Sequence, residues 1–387
     1  MTALPTRRSV LGLLGAAPVV LAAGTAVADD RSGAVPAGLR PGGELDRHVA
    51  GMAARDEFSG SLLLTRHGRT VLARSYGQAD KRRGIPNGPD TTFPLASVTK
   101  LFTAVAVAQL AERGKLSFGA PISTYLDGFP DTVTVHHLLT HTSGYGDFHE
   151  LPGYDDAAAG WTTREQTMTG TTELVRQTAP AFPPGAAWRY SNSGYHLLGA
   201  IVAAVSGQSY YDYVRQHVFD AAGMTRTGFR TRAEWEADRT AAHPYHRDAS
   251  GALTDGITEF GTVVGTPAGD AFTTCADLAL FGRLLGQERL LGHATTALVL
   301  GGKLPMPVPQ PPPGAAAAPA AFQCYGPVSR IAGEQWAFGL GGGNTYGIST
   351  SIDVYPEAGW VLAVLGNYAN LDLQTIAVRT QKLITGR

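Results

Sequence analysis

Charge imbalance is nearly absent from this chain: 31 lysines and arginines face 32 aspartates and glutamates over 387 residues, a formal net charge of −1. Nothing in that balance draws in a polyanion or a charged bilayer, so neither nucleic acid nor a membrane surface is expected as a partner. Cysteine is scarce too, with Cys275 and Cys324 the only two. In an exported chain they can pair, or each can act as a small buried apolar residue, which suits Cys275 just ahead of a helical run. Neither has an obvious histidine partner, so no cysteine nucleophile is indicated. The serine elbow Gly-x-Ser-x-Gly is missing, which removes an α/β-hydrolase. His137 and His141 are four apart but lack the glutamate of a His-Glu-x-x-His zinc site, and are expected to pack or cap backbone. Gly341-Gly342-Gly343 has neither the spacing nor the strand-to-helix setting of a dinucleotide loop. No metal or organic cofactor is called for, and no internal repeat is present.

What is there begins with an ordinary globular composition, 44% hydrophobic and 16% charged, in a chain long enough to bury a large core. Residues 1–28 read as a targeting segment. Thr6-Arg7-Arg8-Ser9-Val10-Leu11 sets twin arginines before an apolar, small-residue run, and Ala26-Val27-Ala28 offers a cleavage site. Gly12, Gly15, Pro18 and Gly24 make a poor spanning helix, so export beyond the cytoplasm is expected and a stable membrane anchor is not. Residues 29–43 form a linker and 44–387 the main domain.

Within that domain Glu44 to Arg55 reads as a helix, followed by strands at Gly60–Thr65 and Thr70–Arg74 joined by a turn at His67-Gly68-Arg69. The run from Ser97 through Ala111 is apolar nearly all round, which predicts a buried helix ending at Gly114. Further helical runs fall at Thr172–Thr178, Ser193–Val205, Tyr210–Phe219 and Ala276–Leu285. Pro305 to Pro319 holds seven prolines and is expected to be an extended surface loop. Strands return at Trp336–Leu340, Gly347–Tyr355 and Trp360–Leu365, before a closing helix at Leu371–Thr385. Strands at both ends around a helical middle predict an α+β fold: an antiparallel sheet flanked by helices and built from residues 44–95 and 325–387. A mostly helical region, 96–300, is inserted between them, followed by the Pro/Ala-rich loop 301–321.

Two motifs carry chemistry. In Ser97-Val98-Thr99-Lys100 a serine precedes a lysine by three positions at the start of the apolar helix, so the two side chains lie roughly 60° apart on one face and can touch. The second is Trp188-Arg189-Tyr190-Ser191-Asn192-Ser193-Gly194-Tyr195, leading into the helical run His196 to Val205. With Ser97 and Lys100, Tyr190 and Asn192 make up the parts that acyl transfer through a serine intermediate requires. Here the chain resembles the penicillin-recognising serine hydrolases: class C β-lactamases, D-Ala-D-Ala carboxypeptidases and related esterases and D-aminopeptidases. Val135-His136-His137-Leu138-Leu139-Thr140-His141-Thr142-Ser143-Gly144, Pro184-Gly185 and Ala276-Asp277-Leu278-Ala279 extend the likeness from about Leu45 to the C-terminus.

The resemblance implies that Ser97 attacks a carbonyl carbon and that Lys100 and Tyr190 jointly take its proton, with Asn192 binding Lys100 and the substrate's acyl side. Tyrosine and lysine normally titrate near 10, and bringing a phenol to about 7 takes roughly 4 kcal/mol. A close ammonium is expected to favour phenolate while burial lowers the lysine, the two sharing a proton. The family's third motif, a strand triplet with a lysine or histidine facing the serine, departs here. Phe338-Gly339-Leu340-Gly341-Gly342-Gly343 puts Leu340 at the basic position, with Gly341 and Gly342 beside it in the substrate-binding strand. The backbone N–H groups of Ser97 and Gly343 are the expected oxyanion pair. Leucine in place of a cation penalises substrates that carry a carboxylate, such as β-lactams and D-Ala-D-Ala peptides, more than simple esters, unless Arg330, Arg247 or another cation substitutes. The expectation is an exported serine hydrolase acting on an ester or D-amino-acid amide of small-molecule or peptide size. Alternatives are a non-catalytic penicillin- or cell-wall-peptide-binding protein on the same scaffold, or an acyltransferase. The sequence gives no oligomeric state.

Overall fold

A computed structural model describes residues 33–306 and 320–386. The expected targeting segment, the first residues of the linker and most of the proline-rich stretch lie outside the described residues. The described residues from Pro36 onward form one compact body.

Its backbone is an eight-stranded sheet. The strands are β1 (Gly60–Arg66), β2 (Arg69–Tyr76), β3 (Leu304–Pro305), β4 (Ala321–Gln323), β5 (Val328–Ala332), β6 (Gln335–Asn344), β7 (Ile348–Tyr355) and β8 (Trp360–Gly366). They lie in the order β2-β1-β8-β7-β6-β5-β4-β3, and every pairing is antiparallel. The first hairpin closes on His67 and Gly68, both at positive φ (48° and 78°), the geometry whose twist matches two antiparallel strands. β8 is buried at every position, as its unbroken apolar sequence requires of a strand covered on both faces. The sheet is therefore assembled from the two ends of the domain around an inserted helical region, as the sequence implied. Pro305 differs from expectation: it belongs to β3, opposite Phe322, at a sheet edge where a missing N–H does no harm.

Helices α1 (Glu44–Ala54), α2 (Lys100–Glu112), α3 (Val135–Leu139), α4 (Arg164–Arg176), α5 (Asn192–Ser206), α6 (Cys275–Gly286) and α7 (Leu373–Thr385) complete the frame. All residues of α2 from Lys100 to Leu110 are buried. Phe102 meets Phe219 and Phe281 edge-on at centroid distances of 5.0 and 4.8 Å, tying α2 to α6. Burying such a ring contributes about 2–3 kcal/mol. α6 lies close on the sheet because position 282 is glycine; a Cβ there would come within 2.6 Å of Ile352 Cδ1. The helical run expected at Thr172–Thr178 is the second half of α4. Its polar first turns hid the start, although Thr163 and Gln166 form a reciprocal capping box. The run Tyr210–Phe219 divides into an α-helical Tyr210–Val214 and a π-helical Arg215–Asp220, and a helix at His293–Leu300 had no sequence counterpart. Cys275 and Cys324 are both free and buried, the small-apolar alternative of the two considered.

Candidate active site

Ser97 sits at a bend that the surrounding chain forces. Ala96 adopts a left-handed backbone (φ 44°), which costs an ordinary residue about 1–2 kcal/mol. It is held there by its carbonyl, which accepts from the Asp270 N–H at 3.2 Å, and by the Val98 N–H donating to Leu95 O at 3.2 Å. Residues Ala96–Thr99 then form a 3₁₀ turn, and α2 proper begins at Lys100. The Ser-x-x-Lys motif thus straddles a junction instead of lying in the first α-turn. At three residues per turn, positions i and i+3 eclipse, so Ser97 and Lys100 stack more directly than an α-helix would allow. Lys100 Nζ and Ser97 Oγ are in hydrogen-bonding contact at 3.1 Å.

Tyr190 and Asn192 flank the N-cap of α5. The Ser191 hydroxyl accepts from the Gly194 N–H at 2.8 Å and donates to Gly146 O at 2.9 Å, fixing the chain on both sides of the cap. Tyr190 Oη lies 2.5 Å from Ser97 Oγ, and its ring lies 4.8 Å from Lys100 Nζ. Asn192 Oδ1 accepts from Lys100 Nζ at 2.7 Å. The four residues that the two motifs supplied therefore converge. His141 lies beneath them: its ring is 4.8 Å from that of Tyr190, and its Nδ1 accepts from the Ser191 N–H at 3.1 Å. Burial drives its pKa down to about 3, so it is a neutral packing and backbone-holding group. His137 caps α3, its ring nitrogen accepting from the Thr134 N–H.

The lysine decides the electrostatics. Lys100 is 1% exposed, and burial lowers its pKa to about 7 against the opposing pull of Asp147 and Asp270. Its nitrogen faces three oxygens: Asn192 Oδ1, Ala268 O at 2.6 Å, and Ser97 Oγ. The first two can only accept. A neutral amine gives its two hydrogens to them and turns its lone pair to the hydroxyl of Ser97, the one neighbour with a proton to lose. Tyr190 moves the other way. Although its side chain is 38% exposed, the water it loses pushes the phenol up to about 12, with the Ser97 hydrogen bond opposing. Burial outweighs the Ser97 hydrogen bond, so the form it favours is a neutral phenol and not the proton shared with Lys100 that was expected.

β6 passes directly over the serine. A Cβ on Gly342 would lie 2.8 Å from Ser97 N and 2.5 Å from Leu95 O, so only glycine fits. Leu340 shares that face of the strand by the two-residue repeat, half-buried against the main core. Gly341, one position on, is exposed, while Gly343 and Asn344 reach the wall of a cavity of about 640 Å³. Ser97, Asn192, Asp147, Asp270, Phe260 and Tyr346 also line it. The two arginines named as replacements for the missing cation are engaged elsewhere, while a third, Arg232, does border the cavity. Arg330 pairs with Asp353 at 2.7 Å and Arg247 with Asp56 at 2.8 Å, and neither borders this cavity.

Two acids were not anticipated. Asp147 Oδ2 accepts from Asn192 Nδ2 at 2.6 Å, which orients that amide so its oxygen meets Lys100. Asp270 follows the Lys100-binding Ala268 by two residues, and burial raises its carboxyl to about 6 although the Lys100 charge and the Ala96 amide lower it. Both lie in loops, without sequence periodicity to single them out.

An antiparallel sheet around a helical insert, with serine, lysine and tyrosine meeting beside its β6 strand, defines a class, and the chain belongs to the Beta-lactamase family, whose model matches residues 45–382. Among its relatives is a Bacillus subtilis (strain 168) protein named as a penicillin-binding protein, PbpX, 35% identical over 60% of this chain and 56% of its own. Esterase EstB of Burkholderia gladioli is 36% identical over 48% of this chain and 49% of its own. The match thus spans about half the length of these curated relatives. A penicillin-binding protein crystal structure from Bacillus halodurans superposes with a TM-score of 0.75 at 28% identity, covering 87% of this chain and 99% of that one. Among the described residues no helix is long and apolar enough to cross a membrane.

Proposed function

We propose that the protein is a serine hydrolase that forms an acyl-enzyme on Ser97 and acts on esters or amides lacking a carboxylate near the scissile bond. One observation carries this reading: a desolvated Lys100 amine, its pKa lowered to about 7, whose nitrogen lies 3.1 Å from Ser97 Oγ and is otherwise held by Asn192 Oδ1 and Ala268 O, so that in its neutral form the lone pair can face the serine hydroxyl. As Ser97 Oγ attacks the carbonyl carbon, its proton passes to Lys100. The oxygen that becomes negative is held by the backbone N–H groups of Ser97 and Gly343, the pair that the close approach of β6 favours. Tyr190, a neutral phenol in contact with Ser97 Oγ, gives its proton to the leaving alkoxide or amine and is re-protonated by the Lys100 ammonium. Water attacking the acyl-enzyme reverses the roles. His141 keeps the phenol in place and Asp147 keeps Asn192 turned toward Lys100.

Leu340 offers no charge to a substrate carboxylate, Arg330 and Arg247 are committed to other partners, and Arg232 on the cavity wall is bonded to the Phe260 and Thr262 carbonyls, so esters should be favoured over β-lactams and D-Ala-D-Ala peptides. Fluorophosphonate labelling tests the nucleophile: wild type should label, Ser97→Ala should not, and equal labelling of both would remove the mechanism. Turnover of nitrophenyl butyrate, a cephalosporin and a D-Ala-D-Ala peptide side by side tests the ordering, which a clear preference for the charged pair contradicts. The twin-arginine segment supports the further proposal that the mature protein acts outside the cytoplasm. Its N-terminal sequence after secretion should then begin at Asp29.

A further inference from the structure

His243 and Asp80 take no part in the proposed reaction, yet both are buried and leave a contact unmade. Their side chains are 1% and 2% exposed, and His243 Nε2 stands 3.8 Å from Asp80 Oδ2. Neither atom has a hydrogen-bond partner, although the partly exposed Arg83 guanidinium forms an ion pair with Oδ2 at 3.2 Å. The other ring nitrogen is engaged, with Nδ1 2.7 Å from Asp255 Oδ2. Burial would raise the Asp255 carboxyl, but its bonds to His243 and to the Ile257 N–H hold it below the usual carboxylate range. Asp255 is therefore the acceptor and Nδ1 carries the hydrogen. A neutral ring so arranged turns its lone pair toward a carboxylate that has only lone pairs to offer. One more proton, on Nε2, converts that gap into a charge-assisted hydrogen bond.

What His243 holds is the root of a wall of the Ser97 cavity. Asp255 ends a short hairpin, Tyr245–Arg247 paired with Leu253–Asp255, and its Oδ1 accepts from the Ile257 N–H at 3.1 Å. The 3₁₀ turn Ile257–Glu259 then delivers Phe260 to the cavity beside Tyr346, with ring centroids 6.1 Å apart. The turn is packed tightly: the Gly256 N–H donates to Pro244 O at 2.8 Å, and a Cβ on Gly256 would come within 2.2 Å of Tyr346 O. Trp235 backs it, its ring 4.9 Å from that of Phe260 and its Nε1 donating at 2.9 Å to Ala242 O, next to His243. The remaining charged and titratable groups facing the cluster are Arg82, which acts on Asp255, and Tyr245, whose hydroxyl accepts from the Lys81 N–H. On the same hairpin His246 Nε2 lies 3.3 Å from Glu259 Oε1, a second tie to the wall.

We infer that His243 is a positioning residue for the substrate's acyl group: protonated, it clamps Asp80 to Asp255 and fixes the Phe260 wall, and neutral, it releases Asp80 and the wall loosens. The inference rests on the hydrolase reading and narrows it. A bulky apolar acyl group, which reaches Phe260 and Tyr346, is selected more weakly as pH rises through the range in which imidazoles lose a proton. A short acyl group that ends before the wall does not sense the change.

Nitrophenyl 4-phenylbutyrate and nitrophenyl acetate share a leaving group and the titration of Lys100, so the ratio of their kcat/KM values cancels both. On the full wild-type chain that ratio should fall at least fivefold between pH 5.5 and 8.5. His243→Asn, whose amide can still donate to Asp255 but does not reach Asp80, should hold the ratio at its low value at both pH values. Asp80→Asn supplies the missing donor to the neutral ring and should hold it at the high value. A residue needed only for folding would move both substrates together and could not fix the ratio at opposite values in two variants. Tryptophan emission, with Trp235 against Phe260, is a second readout that needs no turnover: its change between pH 5.5 and 8.5 in wild type should be at least halved in both variants. A ratio that is flat with pH in wild type, or a fall that survives in His243→Asn and so belongs to His246, overturns the inference and leaves the nucleophile standing. Absent fluorophosphonate labelling of Ser97 removes the hydrolase reading; emission then decides the clamp alone, upheld if the titration is lost in His243→Asn and overturned if it persists.

Discussion

Lys100 and Arg330 are both withdrawn from water, one at the start of α2 and one on β5, and they meet that loss in opposite ways. Burial lowers the pKa of each, but on Arg330 the Asp353 carboxylate at 2.7 Å and the Tyr355 hydroxyl outweigh it and hold the guanidinium charged. Lys100 has no carboxylate in contact. Its contacts are an amide oxygen, a backbone carbonyl and a hydroxyl, and the pull of Asp147 and Asp270 does not offset its burial. A cation kept for structure is given a counter-charge, and one kept for proton transfer is denied it.

Breaking each site should produce opposite profiles. Lys100→Met is expected to slow acylation about 10³–10⁴-fold while leaving thermal stability unchanged or raised, since it removes a buried amine. Arg330→Met should do the reverse, losing about 3 kcal/mol in urea unfolding because Asp353 is stranded, with turnover of nitrophenyl butyrate within about threefold of wild type. Similar losses of activity in both variants would erase the contrast. Tyr190→Phe, which keeps the ring against His141 but removes the phenol proton, is expected to lower kcat about 10²-fold with little change in KM.

Stability should also follow the lysine. Between pH 7 and 10.5 the unfolded chain binds a proton at Lys100 that the folded chain does not, so folding becomes more favourable as pH rises. The gain from pH 7 to 9 is about 2 kcal/mol, and chemical unfolding of wild type against Lys100→Met should isolate it. The smallest effect is expected at β6: Leu340→His should shift the cephalosporin-to-butyrate ratio toward the cephalosporin by no more than about tenfold. A larger shift would mean that the leucine alone sets the substrate class.

What could be read beforehand follows from how local each determinant is. Ser97, Lys100, Tyr190 and Asn192 were visible because each pair is written within a few residues, and the apolar run of α2 announced a buried helix. β1, β2, β7 and β8 were visible because alternation and turn residues mark strands directly. Asp270 and Asp147 were not, since a lone acid in a loop gains its meaning from a carbonyl or amide far away in sequence. The upward push of burial on Tyr190 was not legible for a related reason: pairing a phenol with an amine says nothing about which of them loses more water. The 3₁₀ turn at Ser97 was hidden because it depends on Asp270 bonding to Ala96, a contact across 174 residues that no local pattern records.

The central claim is that a deprotonated Lys100 activates Ser97, and the pH dependence of acylation tests it most directly. The rate of the acyl burst with nitrophenyl butyrate should climb with pH to a plateau with a midpoint near 7, and that climb should vanish in Lys100→Met. A burst rate that is flat from pH 5 to 9, or one that keeps its midpoint without the lysine, would contradict the account.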